Sequence, residues 1–191
     1  MERIPIPAPL RNRLMAKLVR DAHHYFFNVS YSPRPGENYK VRDELRKRFV
    51  DALKGVQDIQ RPLVVVSHSM GTIIAYDCLM HQPDCPPVDG FMTIGSPLGL
   101  DEVQDFFPKW TRDDGFPSGK LRGSWANVFD RLDVVSGAAP RLANDYKKAG
   151  VATVRDIEEP NWGKWRHSIA KYFQGKQLRD SLATMLGVTW P

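Results

Sequence analysis

Cysteine is scarce, with Cys78 and Cys85 the only two in 191 residues. No disulfide framework can therefore hold the fold, and a reducing compartment suits the chain. No apolar run reaches the roughly 18 residues that a membrane-crossing helix needs. The opening Met1-Glu2-Arg3-Ile4-Pro5-Ile6-Pro7 also lacks the apolar stretch of a secretory signal. Internal repeats, low-complexity tracts and Gly/Ser linkers are missing too, which leaves one domain over 1–191. These absences predict a soluble cytoplasmic domain without a membrane span. Against them stands a hydrophobic share of 42%, enough for a real core rather than a disordered chain.

The net charge of +5 invites a nucleic-acid reading. Residues 1–61 carry 13 Lys/Arg against 7 Asp/Glu, whereas residues 62–191 carry 14 against 15. The excess thus sits on the N-terminal segment. There Arg42, Asp43, Glu44, Arg46, Lys47 and Arg48 intermix at helical spacing, the pattern of a solvated helix face. No aromatic–basic interleaving accompanies it, so no nucleic-acid partner is expected.

Leu10, Leu14, Leu18, Ala22 and Phe26 recur every four residues and predict a helix over 10–29. Val41, Leu45, Phe49 and Leu53 predict a second over 39–54. From residue 62 the pattern changes. Leu63-Val64-Val65-Val66 is an apolar run without polar alternation, as in a parallel strand covered on both faces. A helix over 70–81, a strand over Val88–Ile94 and irregular chain over 95–124 with a short helix at 100–107 follow. Then come strands at Trp125–Phe129 and Val151–Ile157, a short helix at 141–149 between them, and a terminal helix over 168–186. Strands alternating with helices predict βαβ units and a parallel sheet.

The chemistry points to Ser67-His68-Ser69-Met70-Gly71, directly after a strand and directly before a helix. A sharp strand-to-helix turn throws the central serine into the open, and its small neighbours two positions away let chain and helix pack closely. Ser69 would then stand at a helix N-terminus, with the Met70 N–H facing a developing oxyanion. A serine nucleophile needs a base, and the base an orienting carboxylate. His167 alone among five histidines lies in a loop after a strand and downstream of Ser69. His68 adjoins the nucleophile and should point elsewhere; His81, at a helix end, should be solvated; of His23 and His24 one should be packed. Asp21 and His24 lack a third ligand, so no metal is expected. Asp130 and Asp133 both follow the Trp125–Phe129 strand. Val134-Val135 can pin the loop and aim Asp133, while Asp130 suits a loop hydrogen bond.

With Val64–Thr72, Thr93-Ile94-Gly95-Ser96-Pro97-Leu98, Trp125–Val135 and His167-Ser168 in this order, the chain resembles a serine α/β-hydrolase of the esterase/lipase kind over about residues 10–187. The resemblance implies Ser69 as nucleophile, Asp133 as acid and His167 as base, acting on a carboxylic ester without a cofactor. It implies an α/β fold of three layers around a mostly parallel sheet of about four strands. Residues 10–54 would form the N-terminal helices and 62–191 the nucleophile strand onward. A lid at 97–124, with helix 10–29, would wall the pocket. Trp110, Trp125, Trp162, Trp165, Phe106, Phe107 and Phe116 fit either that apolar pocket or ordinary core.

Members of that family carry further strands before the nucleophile strand, one ending in a loop whose N–H is the second oxyanion donor. This sequence shows no strand before Leu63 and no such loop, so the resemblance is to a truncated hydrolase. Two expectations follow. Residues 63–67 become a sheet edge, covered by a second copy in a homodimer or by another partner. Activity is weak and confined to short or activated esters; the alternative is a non-catalytic binding or assembly module.

Overall fold

The computed structural model describes residues 16, 19–56, 58–59 and 61–189. A helix over 19–26 (α1) opens the described chain; residues 10–15, 17 and 18 of the predicted first helix lie outside the described residues. Ser30–Tyr31 (β1) and Tyr39–Lys40 (β2) pair antiparallel in a small sheet of their own. This corrects the expectation of no strand before Leu63, although neither strand joins the main sheet.

The helix Val41–Val56 (α2) leads to the strand Val64–His68 (β3) and the helix Met70–His81 (α3). Val88–Ile94 (β4) follows, then Asp101–Gln104 (α4), a 3-10 turn at Arg112–Asp114, and Leu121–Phe129 (β5). Next come Lys147–Lys148 (β6), Val151–Ala152 (β7) and Val154–Glu158 (β8). Ile169–Gln174 (α5) and Lys176–Leu186 (α6) close the chain. The main sheet has four strands in the order β3-β4-β5-β8, all parallel.

Alternating side chains send two cores to opposite faces of this sheet. Val65, Phe91, Trp125 and Val154 pack with residues of α2 and α3, such as Val50, Ile73 and Tyr76. Met92, Ile94, Ala126, Val128 and Ile157 pack with Tyr172 and Leu178 of α5 and α6. Helices on both faces of a parallel sheet make a three-layer α/β architecture. Each fully buried apolar side chain here is worth about 1.5–3 kcal/mol. Among the described residues β3 pairs with β4 alone, so it stands at the sheet edge, and Val66 is exposed there.

Besides β5, which starts at Leu121 within the stretch expected to be irregular, three predicted elements differ from the fold. The helix predicted at 141–149 is turn, followed by a two-residue hairpin, β6–β7. Ala149 and Gly150 both adopt positive φ (51° and 78°), as the tight turn of a hairpin demands. The strand predicted over 151–157 is accordingly split into β7 and β8. The terminal helix is broken at Gly175, where a Cβ would lie 2.2 Å from Glu159 Cδ. That close approach lets Glu159 Oε2 accept the Leu178 N–H at 3.0 Å and cap α6.

At the end of the sheet where the loops gather, Thr93, Asn127 and Asp156 sit side by side on β4, β5 and β8. The Thr93 hydroxyl donates to Asn127 Oδ1, and Asn127 Nδ2 to Asp156 Oδ1. Asp156 in turn accepts the N–H groups of Leu142 and Ala143, anchoring the loop after β5.

Candidate active site

Ser69 lies between the last residue of β3 and the first of α3, with φ 55° and ψ −130°. A non-glycine residue in that region stores roughly 1–3 kcal/mol of strain and persists only when its surroundings hold it. Several bonds do so. The Ser69 N–H donates to Ile94 O, and the Ser69 carbonyl accepts both the N–H and the hydroxyl of Thr72. Thr72 Oγ1 lies 2.8 Å from Ser96 Oγ, both atoms buried. With its backbone fixed, Ser69 is half-buried. Met70 begins α3, so its N–H is among the first four that no helix carbonyl can take. A Cβ at Gly71 would meet Ser67 Cβ at 4.0 Å, an ordinary contact; the turn is less crowded there than the motif suggests.

The structure brings Ser69, His167 and Asp133 together. His167 Nε2 lies 2.8 Å from Ser69 Oγ, and His167 Nδ1 lies 2.8 Å from Asp133 Oδ2. A carboxylate only accepts, so Nδ1 carries the proton and Nε2 is free to accept from the serine hydroxyl. His167 is 7% exposed and Asp133 1%, which keeps water from competing for their bond. The other carboxylate oxygen, Asp133 Oδ1, accepts the Val135 N–H at 2.9 Å. Asp130 is placed elsewhere: it accepts the N–H groups of Leu132 and Asn161 and pairs with Arg166 at 3.0 Å.

Two aromatic residues complete the surroundings. The ring of His68 lies against that of His167 with centroids 4.5 Å apart, and His68 Nε2 is 3.1 Å from the His167 carbonyl oxygen. Only a protonated Nε2 can bond a carbonyl, which sets its tautomer. Burial first, and the neighbouring His167 second, push the His68 imidazole down to about 4. Tyr172, on α5, donates its hydroxyl to Asp133 Oδ2 at 2.8 Å and accepts the Asp130 N–H at 3.0 Å. Tyr172 falls within the terminal helix that the sequence predicts over 168–186, and no local signal marks a hydroxyl that bonds a residue 39 positions earlier.

No family model, no curated protein and no solved structure matches this chain. The site therefore stands on its own geometry.

Several expectations around the site change. His81 is not solvated: its Nδ1 bonds Asp77 Oδ1 at 2.9 Å, and its ring stacks on Phe107. Trp125 and Phe107 are core, and Trp110 and Phe116 pack against it; Trp162 and Trp165 are exposed on the His167 loop. Much of the expected lid is core as well, with Leu98, Val103, Phe107 and Leu121 buried. In α1, Tyr25 is held by Asp77 of α3, seven residues beyond the start of that helix at Met70. An open cavity of about 560 Å³ lies beside the acid loop, lined by Arg131, Gly137, Ala139, Arg141 and Asp145. Ser69 is not in its lining. Among the described residues no group of three His, Cys, Asp or Glu side chains is placed to hold a metal.

Proposed function

We propose that this chain is a serine hydrolase of the α/β-hydrolase kind, cleaving carboxylic esters through an acyl-enzyme. The observation that carries the reading is the unbroken series Asp133 Oδ2–His167 Nδ1 and His167 Nε2–Ser69 Oγ, each link 2.8 Å. On this reading His167 takes the Ser69 proton as Oγ attacks the ester carbonyl. Asp133 stabilises the imidazolium that forms. The tetrahedral oxyanion develops beside the Met70 N–H at the start of α3. Collapse breaks the ester C–O bond, and His167 gives its proton to the leaving alcohol. Water, deprotonated by the same imidazole, then releases the acid and restores Ser69.

Short or activated esters are the substrate class, with slow turnover. An oxyanion hole with one donor missing costs about 10²–10³ in rate, and β3 has no neighbouring strand on its outer side among the described residues. That open edge also favours the second reading, a catalytically impaired module used for binding or assembly. Val64–His68 carries no acidic residue, Lys or Arg, so a second copy pairing along it belongs to the proposal; a light-scattering mass of one chain would remove it.

The test is reaction with a fluorophosphonate probe together with p-nitrophenyl acetate turnover. Labelling at Ser69, and turnover lost to the buffer level in Ser69→Ala and His167→Ala with the fold intact, is the expected result. A native chain that neither labels nor turns over leaves the binding-module reading.

A further inference from the structure

The structure assigns to Tyr172 a positioning role toward the acid–base pair, through its hydrogen bond to the carboxylate oxygen that holds His167. The inference rests on the serine-hydrolase reading and adds a residue to it.

Asp133 Oδ2 accepts two hydrogen bonds at once, from His167 Nδ1 and from Tyr172 Oη, both at 2.8 Å. Asp133 Oδ1 takes a third, from the Val135 N–H. The tyrosine bond therefore shares the one oxygen whose negative charge stabilises a protonated His167. A donor on that oxygen draws charge from it and weakens its hold on the imidazolium. Its position is firmly set as well. Tyr172 is fully buried, and its oxygen accepts the Asp130 N–H at 3.0 Å, which leaves the hydroxyl proton for Asp133. Burial first and the Asp133 charge second push the Tyr172 phenol far above its ordinary range, so the proton stays on the tyrosine.

The groups facing His167 and its partners come from four other elements and from its own loop. His68 of β3 stacks on it, Ser69 stands at the start of α3, and Asp133 is on the loop after β5. Tyr172 is on α5, and Arg166, next to His167 in its own loop, is paired with Asp130. Among these, Tyr172 alone donates a side-chain proton to the oxygen that His167 uses.

Two variants read the role with opposite signs. Tyr172→Phe keeps the ring and removes the donor. The acid limb of its kcat/KM profile should move up by about half a pH unit. Losing the bond also frees the Asp133 carboxylate to tilt away from His167 Nδ1. This loss of positioning should lower kcat roughly tenfold at unchanged KM, the lower end of what a hydrogen bond to a charged group is worth. Site-specific 3,5-difluorotyrosine at position 172 keeps ring and donor but strengthens the donor, and should move the same limb down. A purely structural Tyr172 predicts a lower melting temperature in Tyr172→Phe with neither limb displaced, and that result overturns the proposal. A readout that needs no turnover is the far-downfield proton resonance of His167 Nδ1–H. It should move further downfield in Tyr172→Phe and upfield with difluorotyrosine; an unchanged resonance in both overturns the proposal even in an inactive chain. Failure of the hydrolase reading shows separately, as a wild-type chain in which Ser69 does not label.

Discussion

Gly95 and Asp133 approach so closely that a Cβ on the glycine would stand 2.9 Å from Asp133 Oδ2. The same Cβ would lie 3.1 Å from His167 Nδ1, so the residue after β4 forms the floor of the Asp133–His167 bond. Its φ of 53° independently favours glycine. Gly95→Ala should therefore push the pair apart and cut kcat by about 10²-fold or more. The backbone strain should cost only about 1–3 kcal/mol, so the variant should still fold. Turnover and thermal unfolding, measured on the same preparation, check both parts.

The two carboxylates after β5 should separate cleanly by mutation. Asp133→Asn removes the charge and can place an amide donor against His167 Nδ1, upsetting its tautomer, and an effect of about 10³–10⁴ on kcat is expected. Asp130→Asn should leave kcat within about tenfold but lower stability by about 1–3 kcal/mol, since it weakens a buried bond to Arg166. Comparable kcat losses in the two variants would contradict the geometry.

His68 makes stability depend on pH. Its imidazole is held neutral down to about 4 in the folded chain, against an ordinary value of 6.5. The unfolded chain binds the proton more readily, so folding stability rises with pH across that window. The contribution of neutral His68 is fully present above about pH 6.5 and is lost as pH falls toward 4. His68→Asn should flatten the melting temperature between those limits, as read by circular dichroism at half-unit steps.

Asp77 ties α1, α2 and α3 together by accepting from Tyr25, Arg46 and His81. Burial alone would raise its carboxyl, but the His81, Arg46 and Tyr25 bonds outweigh it and hold the group at about 2. Its stabilisation is present above about pH 4 and disappears as pH falls through 2. Asp77→Asn breaks a buried ion pair and leaves Arg46 without its partner, which should cost about 3–5 kcal/mol in urea unfolding. Ser69 labelling by a fluorophosphonate should survive in whatever fraction remains folded.

Legibility along the chain followed locality. β4 and α3 have the bounds their residue patterns predict, because a continuous apolar run and a 3.6-residue period are properties of neighbours in sequence. The 168–186 helix also has a continuous apolar stripe, yet it breaks at Gly175. Gly175 is itself a local breaker, but what fills the space beside it and takes the Leu178 N–H is Glu159, just after β8. Likewise nothing in 141–149 announces that the backbone amides of Leu142 and Ala143 are taken by Asp156.

The amino-acid sequence by itself determined the alternation of strand and helix, the Ser69 turn between β3 and α3, and the single downstream histidine in a loop. Each rests on residue types and spacings within a dozen positions. Val134-Val135 already favour Asp133 over Asp130, but only the folding of the loop after β5 puts Asp133 on His167 and Asp130 on Arg166. Tertiary structure also decided that His68 lies on His167, that Tyr172 bonds Asp133 and that Gly95 must yield room beneath them. Those contacts join residues 34 to 99 positions apart. They arise only once four parallel strands bring their loop ends to one side of the sheet, a convergence no local pattern encodes.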